Sequence, residues 1–150
     1  MPARVIETLK KRQCDVPQEG AGSRTNAITD AFTAKGAIEW AVFCSVRDTS
    51  QILILNAASG GIVDSVDKTP DISYLESEDG KLWTIGNGIT LESPETMNTP
   101  PDSASMDPVD YRATFPKPID HDGITHWYLY KGIEVLYSAH GRWYRVASGD

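Results

Sequence analysis

The sequence predicts an α+β protein: an N-terminal helix packed on a mainly antiparallel β-sheet that ends in a C-terminal β-hairpin. Three observations predict it. The first twelve residues place apolar groups at helical spacing. Short β-branched and aromatic runs separated by turn residues follow, and a Gly-containing turn near the end lies between two more such runs. A length of 150 residues suits a single domain over 1–150, because a split would leave each half a meagre core. No repeat at a fixed period is present, which disfavours propellers and solenoids.

The helix is predicted over Pro2 to Arg12. Pro2 suits a first turn, Val5, Ile6 and Leu9 share a face, and Lys10, Lys11 and Arg12 favour the negative end of the helix dipole. Pro17 and Gly20-Ala21-Gly22-Ser23 then make a loop. Strands are expected at Ala27–Phe32, Trp40–Val46, Gln51–Asn56 and Ile62–Val66. Trp40–Val46 and Gln51–Asn56 are too apolar for surface strands and form a hairpin through Asp48-Thr49-Ser50. Asp71–Ser77 reads as a strand or one helical turn, and Asp79-Gly80, a hairpin dipeptide before Lys81–Ile85, favours the strand. Residues 86–91 continue as a weak strand. Ser93 to Asp110 carries four prolines and few large apolar groups, which predicts a long surface loop. Pro116 and Pro118 keep the next piece extended. The last strands are Ile124–Lys131, Ile133–Ser138 and Arg142–Ala147, the final two joined by Ala139-His140-Gly141.

The formal net charge of −7 excludes nucleic acid and anionic lipid as main partners, since both demand a basic face. No apolar run approaches the ~20 residues of a membrane span. The charge is uneven. Asp48 to Asp110 holds twelve acids and two bases, and the rest of the chain is net basic. Such a stretch is a solvated surface with long loops, or a docking face for a cation or a basic partner protein.

Few residues form a chemical constellation. Asp120, His121, Asp122 and His126 put four metal donors within seven residues. Yet the five-residue step between the histidines would place them on opposite faces of a strand, and Asp-His-Asp-Gly is also an ordinary turn. Ser59 lacks the Gly-x-Ser-x-Gly frame of a nucleophile elbow, and no phosphate loop is present. Trp127, Tyr128, Tyr130, Tyr137, Trp143 and Tyr144 crowd the last 24 residues. Alternation along strands would expose about half of them as a contact surface, the type of residue that dominates binding hot spots. Core packing and cross-strand pairing is the plainer use of the same residues.

The stretch Phe32-Thr-Ala-Lys-Gly36-Ala-Ile-Glu39-Trp40-Ala41-Val42 resembles the strand–turn–strand frame of FG-GAP and related calcium-loop modules. Thr33 and Lys35 stand where that family carries Asp, and only Glu39 remains acidic, so the calcium site is expected to be lost. More widely, Arg12-Gln-Cys14-Asp-Val-Pro17-Gln18, the Trp40-Ala-Val-x-Cys44-Ser-Val strand and the Asp120-His121-Asp122-Gly123 to Gly141-x-Trp143 ending resemble a group of small exported bacterial proteins of unknown function. That resemblance implies a disulfide and a periplasmic or secreted location. The opening segment itself has no signal-peptide pattern, so a leader is expected to have been removed ahead of Met1. As free thiols Cys14 and Cys44 would be small core groups. As a bridge they would close a loop of about 30 residues worth roughly 3–4 kcal/mol, and export favours the bridge.

The resulting expectation is a non-catalytic exported binding module, inhibitor-like or toxin-neutralising in type. It would need no cofactor and would meet a partner protein through the aromatic strands and the acidic loop. The alternative is a metal-dependent protein or hydrolase built on Asp120, His121, Asp122 and His126.

Overall fold

In the computed structural model, which describes residues 1–18, 26–77, 83–100, 110–128 and 132–148, the N-terminal segment folds as helix α1 (Ala3–Lys11). Val5 and Leu9, one turn apart, are buried, whereas Ile6 is 39% exposed. The sequence reading put Ile6 with them, but a one-residue step turns a side chain about 100° around the axis. The helix closes in a left-handed turn. Gln13 has φ 56°, its N–H bonds the Lys10 carbonyl, and the Cys14 N–H reaches the Leu9 carbonyl. This turn sends the chain back over a sheet, where Asp15 and Ser45 exchange backbone hydrogen bonds of 2.9 and 2.8 Å. Cys14 is disulfide-bonded to Cys44 there, with Cα atoms 5.5 Å apart.

That sheet contains β1 (Ala27–Asp30), β2 (Glu39–Ser45), β3 (Thr49–Asn56) and β4 (Ile62–Pro70), antiparallel and in chain order. A 3-10 turn at Asp71–Tyr74 leads into a small hairpin of β5 (Leu75–Ser77) and β6 (Trp83–Ile85). The segment left open between turn and strand is therefore both, one after the other. The Asp79-Gly80 dipeptide and Gly20–Ser23 lie outside the described residues. A second antiparallel sheet follows the order β10 (Arg142–Ser148), β9 (Gly132–Ala139), β8 (Gly123–Tyr128), β7 (Asn87–Glu92).

The fold class is α+β as the sequence predicts, but among the described residues the single expected sheet is two four-stranded sheets and a two-stranded one. The larger two face each other. Ala41, Phe43, Ile52 and Ile54 of the first pack with Ile89, Ile124 and Leu136 of the second and with Phe32 between them. Helix α1 covers the other face of the first sheet through Val42, Cys44, Leu53 and Leu55. Strands β2 and β3 are thus buried on both faces, which is why they read as unbroken apolar runs. Asn26 helps tie the sheets: its Nδ2 donates to the Pro17 carbonyl at 2.6 Å and its Oδ1 accepts the Ile89 N–H at 3.1 Å.

The outer face of the second sheet is covered as well. Between β7 and β8 the chain forms α2 (Pro94–Asn98) and α3 (Tyr111–Thr114), and Met97, Phe115 and Ile119 pack on Val135 and Tyr137. The predicted 93–110 loop is corrected in part. Ser93 caps α2 by accepting the Thr96 N–H at 3.1 Å, with Pro94 at the first helical position. Residues 101–109 of that loop lie outside the described residues.

Candidate functional site

Two histidines that are five residues apart in sequence organise two separate sites, on opposite faces of the second sheet. Along β9, Leu136 faces the first sheet while Val135 and Tyr137 face α2 and α3. His126, in register with Ile89 and Glu134, shares the inner face, and its ring lies 5.4 Å from that of Phe43. His121 precedes β8 and stacks on Tyr137 at 4.5 Å, on the outer face.

The inner site depends on an irregularity in β4. Ser50 pairs with Thr69 and Ile52 with Val66, so Gln51 alone opposes both Asp67 and Lys68. Such a bulge redirects a side chain, and Asp67 sits at φ 59°. Its nearly buried carboxylate meets His126 Nδ1 at 2.7 Å. The Tyr128 hydroxyl lies 3.2 Å from both Asp67 Oδ2 and Glu134 Oε2. From β10, Arg145 contacts Asp67 at 3.0 Å and Glu134 at 3.1 Å. Burial works against a charged Asp67, but the His126 imidazole and the Arg145 guanidinium outweigh it and hold the carboxyl below the ordinary aspartate range.

The outer site is an open cleft of about 220 Å³ where three chain segments meet. Thr33, Ala34 and Lys35 come from the turn before β2, Lys117, Pro118, Asp120 and His121 from the approach to β8, and Ala139 and His140 from the β9–β10 turn. Its floor is rigidly built. His121 Nε2 donates to the Ser138 carbonyl at 2.8 Å, since a carbonyl only accepts, and Nδ1 lies 2.9 Å from Asp120 Oδ1. The Tyr137 hydroxyl donates to the Pro118 carbonyl and accepts the Asp120 N–H. The turn carrying Lys35 is held by Glu39, whose buried carboxylate accepts the N–H groups of Phe32 and Thr33 at 3.0 and 2.9 Å. Thus the one acid left in the calcium-loop frame closes the loop directly.

The rim of this cleft is basic. Lys35 and Lys117 are exposed, and neither has an ion-pair partner among the described residues. His140 and Gly141 form the two-residue loop between β9 and β10, with φ of 52° and 71°. This type I′ turn favours Asn or Gly at its first position, so a histidine there carries some backbone strain.

This arrangement divides the predicted metal set. Asp120 and His121 stand together in the cleft, His126 is on the other face, and Asp122 turns to Asp30. Burial first, and then the hydrogen bond and charge of Asp30, raise the Asp122 carboxyl above the ordinary aspartate range. A raised acid adds stability while it is protonated and loses it as pH rises through its folded value. Asp122→Asn is therefore expected to stabilise the protein at neutral pH by about 0.5 kcal/mol, a typical like-charge repulsion, with the gain vanishing in acid. Thermal unfolding of both proteins across that pH range checks it.

The structure distributes the predicted aromatic residues over both faces of the second sheet. Tyr137 is wholly buried. Tyr128 and Trp143 face the inter-sheet core, where Trp143 Nε1 donates to Asp64 at 2.9 Å. Tyr144 packs with the outer cluster. Trp127 lies flat on Gly88, where a Cβ would come within 2.3 Å of its ring. Tyr130 lies outside the described residues. Trp127, Tyr128, Trp143 and Tyr144 are thus half-buried, divided between the two faces of the second sheet.

The sequence reading missed Asp67, Glu134 and Arg145 at the inner site and Lys35, Lys117 and His140 at the cleft. Only the His140-Gly141 turn gave a local signal for any of them. Compared with protein-family models, curated proteins and solved structures, the chain finds no match.

Proposed function

We propose that this protein is a non-catalytic binding module that receives an acidic side chain of a partner protein in the Lys35–Lys117–His140 cleft. The observation that carries this reading is the pair of lysines without ion-pair partners among the described residues, set on one cleft of a protein of net charge −7. Two cations brought to one cleft of an acidic protein, with no ion pair among the described residues, select anionic groups by position. The engagement of both His121 ring nitrogens in the floor supports a binding role over a proton-transfer one. The Cys14–Cys44 bridge supports an exported, periplasmic or secreted setting, where such bonds persist.

The test is an amide-shift titration with a tri-glutamate peptide, with tri-glutamine as control. Shifts are expected around residues 33–35, 117–121 and 139–140, fading as salt rises. Lys35→Glu/Lys117→Glu is expected to weaken binding by about tenfold or more, a loss near 1.4 kcal/mol. Equal binding of tri-glutamine, or shifts confined to other surfaces, would refute the reading.

A further inference from the structure

We infer that Asp67, His126 and Glu134 form a binding site for a divalent transition metal ion of the zinc class, with Arg145 holding the cation's place. One ligand atom from each residue lies within 4.8 Å of the other two, close enough for a single ion to gather them by small side-chain shifts. One imidazole nitrogen with two carboxylate oxygens is a donor set that zinc and its neighbours accept. The three residues come from β4, β8 and β9, so the site exists only when the two sheets are docked.

Two further features belong to a ligand site more than to a simple ion pair. Asp67 reaches the cluster only through the bulge and its left-handed backbone, an arrangement that costs energy and re-aims the carboxylate inward. On the same inner face, Asn87 is wholly buried and directly opposite Tyr128 in the β7–β8 register. Neither amide atom of Asn87 has a hydrogen-bond partner among the described residues. An orphaned buried amide is costly, and three protein ligands leave a zinc-class ion with a fourth position for a water or small ligand. Asn87 offers a donor and an acceptor on the same face of the sheet.

Arg145 decides when the site is available. Its guanidinium bridges both carboxylates, yet its side chain is 48% exposed against 6% for Asp67. The guanidinium itself can turn to solvent, and a bound cation would then take over the pairing of the two buried carboxylates. Metal and Arg145 therefore compete for the same two carboxylates, and the Tyr128 hydroxyl steadies them in either state.

Untagged protein stripped with chelator and then titrated with Zn²⁺ and with Co²⁺ tests this, by calorimetry and by visible absorption. One equivalent per chain is expected, with ligand-field bands for Co²⁺. Arg145→Gln is expected to tighten binding by about tenfold, by removing the competitor. Glu134→Gln, checked for an intact circular-dichroism spectrum, is expected to weaken it by at least as much. No saturable binding to either the wild type or Arg145→Gln would overturn the inference. So would one-equivalent binding unchanged in both Glu134→Gln and Asp67→Asn, which would place the ion elsewhere, such as at Asp120 and His121.

Discussion

Replacing Cys14 and Cys44 together by alanine is expected to lower the unfolding free energy by roughly 3–4 kcal/mol, following the entropy of a closed loop. The bonded residues are 30 apart in sequence. In the unfolded chain the bond holds α1 near β2, which lowers the entropy released on unfolding. In the native protein it is one of several contacts at that point, beside the Asp15–Ser45 backbone pair and the packing of Val5 and Leu9 on Leu53 and Leu55. The native structure is therefore expected to survive the substitution while the denaturant midpoint falls. Alanine is chosen because Cys44 is wholly buried, and serine would add a hydroxyl in an apolar cluster. Urea unfolding measures the loss, and unfolded wild type should show no titratable thiol before reduction. A loss well under 1 kcal/mol would mean that other contacts already restrain the loop.

Asp67→Ala is expected to be nearly as damaging, at about 3 kcal/mol in chelator-treated protein, by stranding buried polar groups. The carboxylate answers His126, Tyr128 and Arg145 at once. His126 is wholly buried and cannot turn to water, whereas Arg145 can. Alanine also tolerates the left-handed backbone of residue 67 less well than aspartate does. Arg145→Ala is expected to cost less, about 1–2 kcal/mol, because the guanidinium is half-exposed and His126 and Tyr128 still answer the buried carboxylate it leaves. Asp67→Asn should fall between the two, because an amide keeps some hydrogen bonds and the backbone preference. Equal losses for Asp67→Ala and Arg145→Ala would show that the ion pair, not the buried imidazole, sets the cost.

The legible parts of this fold were those set by local pattern. Val5 and Leu9 at helical spacing, the apolar runs of β2 and β3, and the Ala139–Arg142 turn each encode their own structure within a few residues. The division into two sheets was not legible, because β7 and β8 pair across an insertion containing α2 and α3. Nothing local in Ile89 or Ile124 states that their strands face Phe43 and Ile54. Helix α2 did carry a readable start in Ser93-Pro94, which the surrounding prolines obscured. The sites were harder. Sequence proximity grouped His121 with His126, although the sheet lies between them. The true partner of His126 is Asp67, 59 residues away and brought in by a bulge. Likewise Lys35, Lys117 and His140 share no motif; three separate turns assemble the cleft.

Binding of tri-glutamate to His140→Asn protein, measured beside its unfolding free energy, tests the cleft most directly. Asparagine suits the first position of this type I′ turn, so stability is expected to hold or to rise by about 0.5 kcal/mol, part of the left-handed penalty of a larger side chain. Affinity is expected to fall severalfold, because the imidazole is lost from the rim while Lys35 and Lys117 stay in place. A stable variant that binds the peptide as tightly as the wild type would contradict the assignment of this cleft as the binding site.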